Sequence, residues 1–234
     1  MKLLTFLLAG PLAGYGESSR WDRRDTADMV TKSAVVGLLG CCMGIPRGDS
    51  RLNTLDRALR MGVRRERRGS ILIDYQTVTG NQGVILNAQG EKRRGSTIVT
   101  PKQYLQDSMF QVFLCGEASL LENCAQAMRR PKWVVCLGRR GAVPSYPILP
   151  YIIEADSLNE AVRQWRDPVL CGAFAHVKRD AMMRCEIEIR DQSEAADAQY
   201  TLLVRNDSVV SADKNRYAER TVCVFSVEGG EACT

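Results

Sequence analysis

Residues 33–43, Ser-Ala-Val-Val-Gly-Leu-Leu-Gly-Cys-Cys-Met, are apolar on nearly every side. A surface helix carries one apolar stripe, whereas a helix that is apolar all round is covered on most faces. A chain with such a segment has to build its core around it. Thr31 reads as the N-cap that opens this helix. The 234 residues suffice for one large domain, or for a medium domain plus a small one, without disulfides or metal.

The elements around that helix follow from periodicity. Residues 3–8 read as a buried strand ended by Gly10-Pro11, and 11–30 as a polar loop. An amphipathic helix follows with Leu52, Leu55 and Leu59 on one side. Residues 62–66 and 71–78 read as strands, 108–115 as a third, and 117–130 as a helix with Leu120, Leu121, Cys124 and Met128 inward, stopped by Pro131. Residues 133–137 read as a further strand. Residues 79–98 lack apolar periodicity and carry four glycines, which predicts a projecting β-hairpin with its tip at 87–90. The order is that of an α+β chain. A ferredoxin-like, RNA-recognition-like domain spans 1–145, with a hairpin thumb inserted at 79–98. The Gly/Pro tract 138–150 leads into a small β-rich domain over 146–234, with a helix at 158–165 and strands at 169–175, 183–190, 199–204 and 221–227.

Charge is divided unevenly. Residues 1–150 hold 22 Lys and Arg against 12 Asp and Glu, and residues 151–234 hold 10 against 15. A basic half predicts a polyanionic partner there; the plainer reading is a solvated surface. The nine cysteines are odd in number, have no C-x-x-C spacing and sit mostly in apolar stretches. With one histidine, His176, this pattern points away from a metal cluster and towards free thiols in a reducing cytoplasm. The short apolar N-terminal run admits a signal peptide as the alternative to a strand, but unpaired cysteines argue for the strand. No stretch is long and apolar enough to span a membrane.

Three basic constellations suit phosphate. Arg139 and Arg140 lie between glycines after the expected strand, where guanidinium forks meet a backbone closely. Arg20, Arg23 and Arg24 precede Lys32 and Ser33 at a helix start, where free N–H groups attract anions; simple capping is the alternative. Lys92, Arg93 and Arg94 concentrate on the hairpin, where a solvated tip also tolerates them. Aromatic residues are few, so stacking on a sheet face is not the expected mode. No Gly-rich nucleotide loop or G-x-S-x-G elbow is present, and a lone His176 fits a structural place better than a catalytic one.

Several blocks together resemble a known family. They are Gly10-Pro11-Leu12-Ala13-Gly14-Tyr15-Gly16, the 31–40 helix start, Asp74-Tyr75-Gln76-Thr77-Val78, the 104–110 segment, Pro131-Lys132-Trp133, Leu137-Gly138-Arg139-Arg140 and Pro144-x-x-Pro147. In this order they are similar to the CasD subunits of type I-E CRISPR Cascade complexes, and they cover most of residues 3–150. The C-terminal 80 residues carry no matching motif. The resemblance implies the fold of repeat-associated RNA-binding proteins and a non-catalytic subunit. That subunit caps the 5′ handle of CRISPR RNA, with the RNA as its one ligand and no cofactor. It implies contacts with a backbone subunit through the thumb and with the large subunit, near target DNA, in antiviral targeting. It adds Tyr15 to the expected RNA contacts. The alternative is a repeat-cleaving endoribonuclease like the type I-C relatives, which use a catalytic histidine. A fused HNH nuclease does not fit one histidine and this length.

Overall fold

The computed structural model describes residues 1–17, 24–80, 84–86, 91–94, 97–190, 200–211 and 216–229, with only the backbone of 86 and 92–94. Arg20, Arg23 and the expected hairpin tip at 87–90 lie outside the described residues.

The protein is mixed α/β around a large antiparallel sheet. Its strands are β1 (Lys2–Ala9), β3 (Arg60–Arg67), β8 (Met109–Cys115), β9 (Tyr151–Glu154), β10 (Met182–Glu188), β11 (Thr201–Ser211) and β12 (Arg216–Glu228). They lie in the order β11-β12-β10-β3-β8-β1-β9, each pair antiparallel. β1 lies between β8 and the edge strand β9 and is buried on both faces. Its even positions Leu4, Phe6 and Leu8 enter one cluster with Phe110, Val112 and Leu114 of β8. Leu3 faces the other way, with Phe113. Period-2 geometry thus gives one strand two buried faces.

Helix α1 (Lys32–Met43) covers the first face beside α3 (Ala118–Arg129), while α2 (Ser50–Ala58) and β11 close over α1 from elsewhere. Val35, Val36 and Leu39 join the sheet cluster with Leu121, Cys124 and Met128 of α3. This is why the segment is apolar almost all round. Gly40 packs closely under α2: an added Cβ would lie 2.6 Å from Leu52 Cδ2, which would have to shift. On the opposite face α4 (Leu158–Gln164) packs Leu158 and Val162 against Phe113, Ile187 and Phe225.

A second sheet, β2 (Leu12–Ala13), β7 (Ile98–Gln106) and β4 (Ser70–Val78), carries a long antiparallel pair from Ser70↔Gln106 to Val78↔Ile98. Within residues 79–98, β5 (Val84–Leu86) and β6 (Lys92–Arg94) pair antiparallel.

Two expected strands do not form. Residues 133–137 form no strand; their backbone bonds go elsewhere, Lys132 N–H to Cys42 O at 3.0 Å and Leu137 N–H to Ala142 O at 2.7 Å. The strand beside β1 is instead β9, which follows Pro150. Residues 169–175 are not a strand either: Asp167 accepts from Val169 N–H at 2.8 Å and Pro168 opens the short helix α5 (Pro168–Cys171), the usual Asp-then-Pro helix start. Residues 146–234 share the large sheet with 1–145, because β10 pairs with β3. Cys41, Cys42, Cys124, Cys136 and Cys185 are free thiols, but Cys171 is disulfide-bonded, so the expectation of unpaired cysteines does not hold there.

Candidate nucleic-acid interface

The 137–142 turn and the 10–16 segment lock together. Gly14 N–H donates to Leu137 O at 3.0 Å, and Ala142 N–H closes the turn on Arg139 O at 2.9 Å. Gly138 has φ +80, and a Cβ there would stand 2.1 Å from Gly14 O. Only glycine meets both demands, a left-handed backbone and so close an approach.

The two adjacent arginines of this turn have different fates. Arg139 turns inward, giving Nη1–H to Gln103 O at 2.7 Å and Nη2–H to Asp25 O at 2.6 Å. Its guanidinium also lies 4.8 Å from the centre of the Tyr104 ring. It ties the turn to β7 and to the loop before α1, so both ends of its fork are already taken. Arg140 is exposed and borders an open cleft of about 510 Å³ between α1, this turn and the start of β12.

Of the expected contacts, that cleft brings together Tyr15, Ser33 and Arg140. It adds Arg47, Trp133 and Tyr217, which sequence reasoning did not select. Ser33 Oγ lies 3.3 Å from Thr31 Oγ1. Arg24 is exposed and its backbone bridges to Lys102 of β7, with Arg24 N–H to Pro101 O at 3.1 Å. Arg24 is not among the residues lining the cleft. Lys92, Arg93 and Arg94 form β6.

Lys32 is corrected. Its side chain is 3% exposed, and its ammonium sits 2.9 Å from Glu188 Oε2 and 3.6 Å from Asp56 Oδ2. The helix N-terminus is likewise engaged: Lys32 N–H donates to Asp207 Oδ2 at 2.6 Å, and Thr31 makes no side-chain cap bond. The positive end of the helix dipole has its anion inside the protein, a carboxylate from β11 rather than a phosphate. Asp207 is held in turn by Arg220, at 2.6 Å from Nε to Oδ1. Part of the acidity of the C-terminal third is thus consumed in burying Lys32 and Arg220.

Tyr15 lines the cleft from within the core. It is 2% exposed, edge-on to Phe110 at 5.7 Å, and its hydroxyl is buried with no hydrogen-bond partner among the described residues. Burial pushes its pKa up, which keeps the phenol protonated. His176 lines a different pocket, with Lys178, Arg179 and Asp180. Among the described residues no three His, Cys, Asp or Glu side chains gather to hold a metal ion, and no helix is long and apolar enough to cross a membrane.

The chain is similar to known proteins over nearly all its length. The profile of the family described as CRISPR-associated protein (Cas_Cas5) matches residues 3–223. The CRISPR system Cascade subunit CasD of Escherichia coli (strain K12) is 32% identical over 178 residues, 71% of this chain and 77% of that protein. A chain of a solved CRISPR RNA-guided surveillance complex superposes with a TM-score of 0.73 at 28% identity, covering 97% of this chain and 90% of the other. A crystal structure of a Cas protein superposes with a TM-score of 0.62 at 27% identity, covering 99% and 100%. The continuous match over the interlocked 10–16 and 137–142 segments, the helices and the C-terminal strands places the chain in one family: it belongs to the CRISPR-associated Cas5 proteins.

Proposed function

We propose that this chain is a non-catalytic, RNA-holding subunit of a Cascade-type CRISPR surveillance complex, and that it caps the 5′ handle of the CRISPR RNA. The observation that carries the reading is the cleft beside the 137–142 turn, where Arg140, Arg47 and Ser33 meet two exposed aromatic rings. Guanidinium groups and aromatic faces around an open groove suit a single-stranded backbone and its bases. Arg139 acts from inside, by fixing the turn that presents Arg140. Arg20, Arg23, Arg24, Lys92, Arg93 and Arg94 are proposed as outlying phosphate contacts along the same strand.

The strand order β9-β1-β8-β3, all antiparallel with α1 and α3 on one face, supports reading this part as a ferredoxin-like unit. We read β4 to β7 as the thumb. Its exposed Ile71, Ile73 and Tyr75 support contact with a backbone subunit. Because β10 pairs with β3, we read 146–234 as an extension of that sheet, so its role is to brace α1 and its partner contacts rather than to act alone. The free thiols fit a cytoplasmic complex.

Repeat cleavage would require a general base and acid within reach of the RNA. Tyr15 is buried, and His176 borders another pocket. Co-expression with the other subunits and a CRISPR array tests the reading. The chain is expected to co-purify with them and with intact, full-length CRISPR RNA. A chain that stays apart from both under those conditions refutes it.

A further inference from the structure

The cleft has a bare floor that packing inside the protein does not explain. Ser33, Gly37 and Cys41 follow one another at four-residue spacing along α1, and all three line the cleft. Gly37 is inside the helix, where glycine is worth about 1 kcal/mol less than alanine. Its φ does not call for glycine, and an added Cβ would meet nothing within 4 Å. At Gly40, one turn further, an added Cβ would press on Leu52 Cδ2 at 2.6 Å; nothing within the described residues presses on Gly37.

Three independent features border that floor. Trp133 is 48% exposed and Tyr217 is 40% exposed, and both line the cleft. Exposed rings beside a cation suit stacking against a planar base, which is tolerant of base identity. Tyr15 lines the same cleft, 2% exposed, with a hydroxyl that has no hydrogen-bond partner among the described residues. Such a buried polar atom is an unmet demand for a partner. Arg140 supplies positive charge at the rim.

We propose that this cleft is a nucleotide subsite: one unpaired nucleotide of the bound RNA stacks its base on Trp133, with Tyr217 as the second ring. Its sugar–phosphate crosses the bare face of α1 at Gly37 towards Arg140. The inference rests on the RNA-holding reading and adds where one base sits and what holds it.

The test uses the full chain and single-stranded repeat RNA, in affinity measurements across a salt series. Trp133→Ala is expected to weaken binding about tenfold, the loss of one stacked base, and Trp133→Phe to keep most of the affinity. Stacking releases no counterions, so the salt slope stays as in the unsubstituted chain. Gly37→Leu is expected to leave thermal stability intact, since a Cβ there meets nothing within 4 Å, and to weaken binding by filling the floor. Removing one base at a time from the RNA is expected to reveal a single position whose loss matches that of Trp133→Ala and is not additive with it. If Trp133→Ala and Gly37→Leu bind like the unsubstituted chain, or if the abasic loss adds to Trp133→Ala at every position, the subsite is refuted while RNA holding stands. If the unsubstituted chain and its complex bind no RNA, both fall.

Discussion

Replacing Lys32 by Met separates a structural lysine from a phosphate-binding one. The ammonium is buried between Glu188 Oε2 at 2.9 Å and Asp56 Oδ2 at 3.6 Å, and these two carboxylates have side-chain exposures of 8% and 1%. Other donors hold them in place. Met61 N–H reaches Glu188 Oε2 at 3.2 Å, and Val209 N–H reaches Asp56 Oδ1 at 3.0 Å. Lys32→Met keeps most of the side-chain volume but leaves buried Asp56 without its cation and Glu188 with only the half-exposed Arg190 at 4.0 Å. Removing one partner of a buried ion pair costs about 3–5 kcal/mol, because the remaining charge is uncompensated. For a chain of this size that lowers the melting temperature by roughly 6–20 °C. Adding Glu188→Gln should recover part of the loss, since it removes one of the stranded charges, and this sign of coupling marks an ion pair. Thermal and urea unfolding of the single and double variants measure both effects. RNA binding by the folded Lys32→Met protein should keep its salt slope. If Lys32→Met unfolds like the unsubstituted protein and instead loses salt-dependent RNA affinity, the structural assignment is wrong.

Arg139→Ala should destabilise the protein by about 2–3 kcal/mol, through loss of the two bonds to Gln103 O and Asp25 O and of the Tyr104 contact. Arg139→Lys should not restore it, since an ammonium cannot span both carbonyls; full rescue by lysine in thermal unfolding would contradict the geometry. Burial pushes the Cys42 and Cys185 thiols up to about 12 and the Cys124 thiol up to about 11. A pKa raised by folding gives stability that is complete below the unfolded thiol's range, near pH 9, and is lost as pH rises towards the folded values. Urea unfolding at pH 8 and pH 10 should therefore show a fall of about 1 kcal/mol per thiol. Cys185→Ala should remove its share of that fall, and an unchanged pH slope would count against burial as the cause.

Much of the scaffold was legible because strong local patterns agreed with the tertiary outcome. The 3–8 run, the all-round apolar α1 and the stripe of α3 each bury what their periodicity says they should. The misses have local causes. β9 is four residues long and follows Pro150, too short to show alternation. The 169–175 run is apolar, but Asp167-Pro168 caps a helix, and capping outweighed the run. Among the site residues, Arg139 and Arg140 look identical in sequence; only the fold shows that one reaches carbonyls and the other the cleft. Lys32 could not be placed because two of its three partners, Glu188 and Asp207, are more than 150 residues away, and only the fold brings Asp56 to it. Trp133 was read as a strand residue, and Tyr217 carries no local signal at all. Both become visible only when the 133–141 loop and the start of β12 meet at α1.

The most direct test of RNA holding without cutting is incubation of the full chain with end-labelled repeat RNA over a salt series, read by both binding and gel. Intact RNA is expected, with affinity that falls linearly in log–log form with salt. Arg140→Ala should reduce that slope by about 0.7, the value of one single-strand phosphate contact. Specific cleavage leaving a 2′,3′-cyclic phosphate, or binding that ignores both salt and Arg140, would contradict it.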